Sequence, residues 1–189
     1  MAQDEQLMGL ALKEARQALA QGEFPVGCVF AWQGRVIASG ARYNSTGRAN
    51  ELDHAEIIAL RRFVKSGQRV DPAEVRVYST MEPCLMCFAT LLVNGFRQFV
   101  YAYEDAMGGG TNLPLARLAP LYRDLAVSVT GGVRRDESLA LFQSFFGQPG
   151  NRYLQGSLLA EYTLCQEPAS SGATATSTPQ PPCSPRQEP

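Results

Sequence analysis

Val75-Arg76-Val77-Tyr78-Ser79-Thr80-Met81-Glu82-Pro83-Cys84-Leu85-Met86-Cys87 is the stretch on which the reading of this chain turns. Its first part is rich in β-branched and aromatic residues and predicts a short strand over Val75–Ser79. Proline is favoured in the first turn of a helix, so Pro83 predicts a helix running to Val93. Gln98–Tyr103 reads as the next strand. Upstream, His54–Val64 sets Ile57, Ile58, Leu60 and Val64 at helical spacing. Before it, Tyr43–Leu52 is a polar loop, and Val26–Trp32 and Arg35–Gly40 form a hairpin around Gln33-Gly34. Gln3–Ala20 is a first helix with Leu7, Leu10, Ala11, Ala15, Ala18 and Leu19 inside, stopped at Gly22.

Downstream, Gly108-Gly109-Gly110 predicts a flexible loop, Leu113–Leu118 a short helix, and Ala126–Val129 a fifth strand. Arg134–Phe146 is a helix burying Leu139, Leu141, Phe142, Phe145 and Phe146, and Asn151–Leu164 one more packed on the domain. From Gln166 the chain is Pro, Ser, Thr, Ala and Gln, a composition too poor in large apolar residues to order itself. The expectation is a domain over residues 1–165 and a disordered tail over 166–189. Strands alternating with helices after an initial hairpin imply a layered α/β domain with a mixed sheet of about five strands.

Composition narrows the partners. The chain has 189 residues, 45% hydrophobic and 19% charged, which suits one globular domain with a real core. A net charge of −1 supplies no bulk attraction to nucleic acid or anionic membrane. Only Lys13 and Lys65 are lysines, and the arginines are scattered. No apolar run reaches the length of a spanning helix, and Met1–Gln6 is polar and acidic, unlike a signal peptide. A cytoplasmic protein is expected. Five cysteines, unevenly spaced, do not make a disulfide scaffold; in a reducing compartment the Cys84–Cys87 pair reads as a metal or redox site.

Three pieces carry chemistry: His54-Ala55-Glu56 at one helix start, Pro83-Cys84 at another, and Cys87 a turn further on. Zinc favours tetrahedral sites of His nitrogen and Cys sulfur. Cys84 and Cys87, three apart, share a helical face, and a helix N-terminus stabilises thiolates. One His and two Cys make three ligands, leaving a fourth position for water. Glu56 would take a proton from that water and deliver it to a ring nitrogen and the leaving amine. Taken alone, a CxxC pair is also a redox motif or half of a structural zinc site, and a lone His is also a structural residue. The combination H-x-E with a downstream P-C-x-x-C is the signature of zinc deaminases acting on nucleobases.

With these residues the chain resembles the cytidine deaminase superfamily, and within it the tRNA-specific adenosine deaminases of the wobble position. The resemblance spans about Leu7–Phe146. It rests on Gly22-Glu23-Phe24-Pro25-Val26-Gly27, His54-Ala55-Glu56-Ile57-Ile58-Ala59-Leu60 and Thr80-Met81-Glu82-Pro83-Cys84-Leu85-Met86-Cys87. It implies a three-layer α/β/α fold, one zinc per subunit held by His54, Cys84 and Cys87, Glu56 as the proton carrier, and a homodimer with active sites near the interface. By position it also implies substrate contacts from Asn44 and Asp105, and a base pocket lined by Pro25, Val26 and Ala55.

The chain departs from that pattern at several places. Phe88 and Thr90 stand where small residues are usual, and a ring at 88 either narrows the pocket or fills core. Asp53 precedes His54 where alanine is common. Met107-Gly108-Gly109-Gly110-Thr111-Asn112 lacks a lysine, and the C-terminal region has no basic cluster, which counts against a polynucleotide because phosphate contacts dominate nucleic-acid affinity. Arg61, Arg62, Lys65 and Arg69 make either a basic patch or a solvated helix face. The expected reaction is hydrolytic deamination of a nucleobase, first of adenosine to inosine in tRNA. The alternatives are a free base, nucleoside or nucleotide of guanine, cytosine, cytidine or dCMP type, or a non-catalytic zinc module that binds RNA.

Overall fold

The computed structural model describes residues 2–45 and 50–167. The tail expected from residue 166 lies, from 168 on, outside the described residues, and Cys183 with it. Helix α1 (Ala2–Ala20) precedes the hairpin β1 (Gly27–Trp32) and β2 (Arg35–Ala41). Then come α2 (Ala55–Ser66), β3 (Arg76–Met81), α3 (Leu85–Val93) and β4 (Gln98–Tyr103), followed by a one-turn helix α4 (Pro120–Arg123) and β5 (Ser128–Thr130). Helices α5 (Arg135–Phe146) and α6 (Leu158–Leu164) close the domain. The sheet order is β2-β1-β3-β4-β5; β1 is antiparallel to both neighbours, while β3, β4 and β5 run parallel. The sheet is therefore mixed and five-stranded, and with helices on both faces it is the three-layer α/β/α arrangement expected.

Alternation along the strands sorts the core into two faces. Val29, Tyr78 and Val100 pack under α1 with Leu7, Met8 and Leu12. On the other face Phe30 and Phe96 meet Phe63 of α2 edge to face and each other at a tilt, with Phe88 against Phe99 at 5.0 Å. Phe88 is 1% exposed, so its ring fills core and does not narrow a pocket. The hairpin closes through Gln33 at φ 49° and Gly34 at φ 77°. That pair of left-handed residues matches the twist of the two strands.

Two glycines set the spacing of the layers. A Cβ at Gly27 would lie 2.2 Å from the Ala11 carbonyl oxygen, and one at Gly40 would lie 2.3 Å from that of Ala55 and 2.8 Å from the Ala59 nitrogen. Helices α1 and α2 thus rest with backbone against backbone on neighbouring strands, the close approach that glycine in a strand permits.

Several expectations are corrected. Pro83 does not open α3; the chain stays extended through Cys84, which bridges Gly109, while the Pro83 carbonyl accepts from the Gly110 amide at 2.9 Å. The glycine stretch is accordingly no free loop but a strap laid over residues 82–85, where Cβ atoms at Gly109 and Gly110 would come within 2.6 Å of the Glu82 carboxylate and the Leu85 Cα. The helix expected over 151–164 covers only Leu158–Leu164. Leu154 and Gly156 adopt left-handed φ before it, and the Ser157 hydroxyl caps it by accepting from the Ala160 amide at 3.2 Å. Leu10 and Val64 face solvent, while Met8 and Leu12 take the core positions of α1. No helix among the described residues is long and apolar enough to cross a membrane.

Candidate active site

Helices α2 and α3 both begin near the C-terminal end of β3, and each begins on an unusual residue. His54 (φ −67°, ψ 150°) and Cys84 (φ −65°, ψ 167°) occupy the N-cap positions, and neither side chain makes a capping hydrogen bond. Ser, Thr, Asp or Asn there would accept from the first-turn amides, a contribution of about 1 kcal/mol to each helix. Both positions are given instead to metal-binding side chains that turn toward each other. His54 Nδ1 lies 3.5 Å from Cys84 Sγ and 3.5 Å from Cys87 Sγ, and one donor atom from each of the three fits within 4.8 Å of the others.

The electrostatics match a metal-binding role. Cys84 is pushed down to about 4, chiefly by a hydrogen bond from Cys87, with His54 adding to the effect against the opposing pull of burial. Cys87, the donor of that pair and fully buried, is pushed up. Burial lowers the His54 pKa, but its hydrogen bond with Cys84 and the charge of Glu56 outweigh that and the net direction is up. The other ring nitrogen, Nε2, lies 3.4 Å from Glu51 Oε2, a carboxylate that fixes the imidazole so that Nδ1 faces the sulfurs. Imidazole and two thiols are a soft, zinc-type donor set, so these residues fit that ion.

Glu56 sits beside this cluster and is 3% exposed. Its Oε1 accepts from the Ser79 hydroxyl at 3.2 Å and its Oε2 lies 3.5 Å from Cys87 Sγ. Burial, then the charge on Cys84, raises its pKa. A carboxylate with a raised pKa is suited to carry a proton back and forth near neutrality.

A cavity of about 190 Å³ opens on these groups. Phe24, Val26 and Met81 form an apolar wall, Arg42 and Glu51 come from the loop after β2, and Asp105 and Gly108 from the strap after β4. Tyr153, Leu154 and Leu159 close it from the C-terminal segment. Of the residues singled out from sequence, His54, Ala55, Glu56, Cys84, Val26 and Asp105 line this cavity, and Cys87 meets His54 just behind it. Asp105 also holds the strap, accepting from the Met107 and Gly108 amides at 3.0 and 2.9 Å. Pro25 and Asn44 do not line it. Asn44 is exposed at φ 57° and its amide donates to Asp53 at 2.9 Å, which turns it away from the cavity.

Sequence reasoning passed over Arg42, Glu51, Glu82 and Tyr153. Glu82, adjacent to Pro83, is 6% exposed and receives the Thr111 hydroxyl, the Thr111 amide at 3.3 Å and the Asp105 amide at 3.3 Å, anchoring the strap. A glutamate set between the strand residue Met81 and a proline was the available signal.

The family model of the cytidine and deoxycytidylate deaminase zinc-binding region matches residues 1–103. The chain belongs to the cytidine and deoxycytidylate deaminase family. Deaminase chemistry and zinc, both expected from the sequence, are what that family's description carries. A tRNA-specific adenosine deaminase of Agrobacterium fabrum is 34% identical over 148 residues, 77% of this chain and 95% of its own. One from Bacillus subtilis is 28% identical, covering 77% and 90%. Among solved structures, one from a study of A-to-I editing by tRNA:A34 deaminases at the wobble position of transfer RNA superposes with a TM-score of 0.59 at 31% identity, over 72% of this chain and 98% of that one. Another, in complex with 8-azaguanine, gives 0.61 at 25% identity over 75% and 84%.

Proposed function

We propose that this deaminase hydrolyses the exocyclic amine of adenosine in transfer RNA to give inosine and ammonia, with His54, Cys84 and Cys87 as its zinc ligands and Glu56 as its proton carrier. The observation that carries the proposal is the buried Glu56 carboxylate set within 3.5 Å of the three-donor cluster at the floor of a base-sized cavity. The tRNA substrate is supported by the wobble-editing and tRNA-specific relatives, which this chain matches along nearly their whole length.

The residues divide the work. The apolar wall of Phe24, Val26 and Met81 takes the face of the base and excludes water. Ser79 donates to Glu56 Oε1 and so fixes the carboxylate, leaving Oε2 toward the cluster. Glu56 accepts a proton from the attacking water, passes it to the ring nitrogen beside the reacting carbon, and carries the second proton to the departing amine. Water's oxygen ends on the ring and the nitrogen leaves as ammonia, so the carboxylate returns to its starting state. Zinc, held by the three donors, would supply the Lewis acidity that lets water ionise near neutral pH.

A homodimer is part of the same proposal, supported by Leu52 and Leu85, exposed beside the two helix starts that carry the ligands. So is a cytoplasmic location, where tRNA is. A free purine base is the second reading. It is favoured by the engagement of two cations of the α2 face: Arg61 donates to Asp53 at 3.0 Å and Arg62 to the Ser39 carbonyl at 2.9 Å. Ammonia release across bases, nucleosides, nucleotides and tRNA, with inosine scored in the recovered tRNA, separates the two. The proposal requires inosine and a rate that falls steeply with salt; turnover of guanine with no inosine overturns the tRNA reading and leaves the deaminase standing.

A further inference from the structure

The C-terminal wall of the cavity contains a leucine in a backbone conformation that leucine avoids. Leu154 has φ 54°, in the left-handed region where the Cβ of a bulky L residue crowds the following carbonyl. The same segment turns left-handed at Gly150 and Gly156, where glycine does so without strain. The other non-glycine residues in that region are Gln33 in the hairpin turn, Asn44, a residue type that tolerates it, and Arg134 at the start of α5. Leu154 is thus the one apolar side chain held there among the described residues. Glycine would satisfy the backbone at 154, so what leucine adds is its side chain.

That side chain is only half-buried, so core packing is a small part of what it does. It packs against the core cluster that includes Phe24, Val26, Met81 and Leu159, and together with those four it lines the cavity. The chain on either side fixes it there. The Tyr153 amide donates to Asn151 Oδ1 at 3.0 Å and the Tyr153 ring lies 5.3 Å from that of Phe24. The Leu154 carbonyl accepts from the Ser157 amide at 3.1 Å. Beyond it α6 is clamped by the Tyr162 hydroxyl, which donates at 2.7 Å to Glu104, the partner of Arg135. Backbone strain persists only where the surroundings over-determine it, and such positions cluster at binding sites. Leucine neither donates nor accepts, so a ring nitrogen or an amine set against it would lose its hydrogen bond. The apolar edges of an adenine ring are C2–H and C8–H. We propose that Leu154 is a specificity-determining residue of this cavity, a steric stop against C2–H or C8–H that rejects purines substituted at that carbon. The inference rests on the adenosine reading above for the identity of the ring.

The test uses a tRNA anticodon stem-loop carrying adenosine, 2-methyladenosine or 8-methyladenosine at the target position. On the wild-type enzyme at least one methylated base should fall about tenfold to a hundredfold below adenosine in kcat/KM, the scale of a methyl forced into filled space. In Leu154→Gly, with zinc content unchanged, that base should regain about tenfold or more relative to adenosine. Leu154→Ala opens the same space and should do likewise, but should melt no higher than the glycine variant, because only glycine relieves the left-handed backbone. Equal turnover of all three substrates by the wild type overturns the proposal. So do variants that keep the wild-type discrimination, since a leucine that serves packing alone moves Tm and not the ratio of substrates. A glycine variant that melts below the alanine one removes the strain on which the proposal stands and overturns it too. If Leu154→Gly does not fold, Leu154→Ala decides alone. Should the wild type deaminate guanine or cytidine and no adenosine in RNA, the adenosine reading has failed, and Leu154 is judged by the same regain on the C-methylated forms of that base.

Discussion

The two sides of the cavity are built differently. The metal side comes from residues 54–56 and 84–87, two short segments at the starts of two helices, with Ser79 behind them, and every polar group in it has a partner. The opposite side joins Arg42 and Glu51 to Tyr153, more than a hundred residues away in sequence, and leaves two buried nitrogens of Arg42 unsatisfied. The family match ends at residue 103, so it takes in the whole metal side but only the loop half of the other. The first side is local in sequence; the second is assembled over long range, with two buried donors that have no partner among the described residues. A family can keep the first and vary the second by changing a loop and a C-terminal segment.

That contrast predicts which variants lose rate and which lose selectivity. Glu56→Gln should cost the most: turnover falls about a hundredfold to ten-thousandfold, because an amide cannot carry the proton, while zinc content by metal analysis stays at that of the wild type. Substantial ammonia release from this variant would take Glu56 out of its role. Cys84→Ala comes next. Zinc at a hundredfold excess over its Kd stabilises the fold by about 2.7 kcal/mol, a shift of roughly 5–10 °C in Tm for a domain of this size. Chelator should lower the wild-type melt by that amount and leave Cys84→Ala unmoved; full zinc occupancy in the variant would show the donor set to be wrong.

On the recognition side, Tyr153→Phe removes a hydroxyl and keeps the ring. KM should rise about twofold to tenfold, part of what a hydrogen bond to a charged group contributes, because Arg42 and Glu51 are loosened and not removed, with kcat held. A fall in kcat at constant KM would mean that this side takes part in the chemistry. The smallest effect belongs to Cys165→Ser. Cys165 is exposed and stands apart from the donor cluster, so zinc stoichiometry and activity should match the wild type.

The metal side was readable from the sequence because its residues are rare types at fixed short spacing. The chain has one histidine, and it falls two residues before a glutamate with Pro-Cys-x-x-Cys downstream. Sheet and helices were readable because alternation and helical spacing mark strands and amphipathic helices directly. Arg42 and Tyr153 carried no such mark, since an arginine after a strand and a tyrosine in an irregular segment are ordinary until the fold brings them together. The start of α3 was misplaced for a related reason. Pro83 favours a first helical turn, but the strap from Gly109 and Gly110 pairs with the same residues and keeps them extended. Tertiary contacts overrode a local preference there; at residues 151–157 the interruption is in the backbone itself, where left-handed Leu154 and Gly156 delay α6.

Gly40 gives the site its machining tolerance. It lies outside the cavity, on an edge strand, yet the first turn of α2 sits directly on it, and that turn holds His54 and Glu56 at their height above the sheet. The clearance is less than one methyl group. Any side chain at position 40 would act as a shim, lifting the imidazole and the carboxylate together relative to Cys84 and Cys87, which are carried by a different helix. The reach between the two halves of the donor cluster is therefore gauged by a residue that has no side chain and lies outside the cavity.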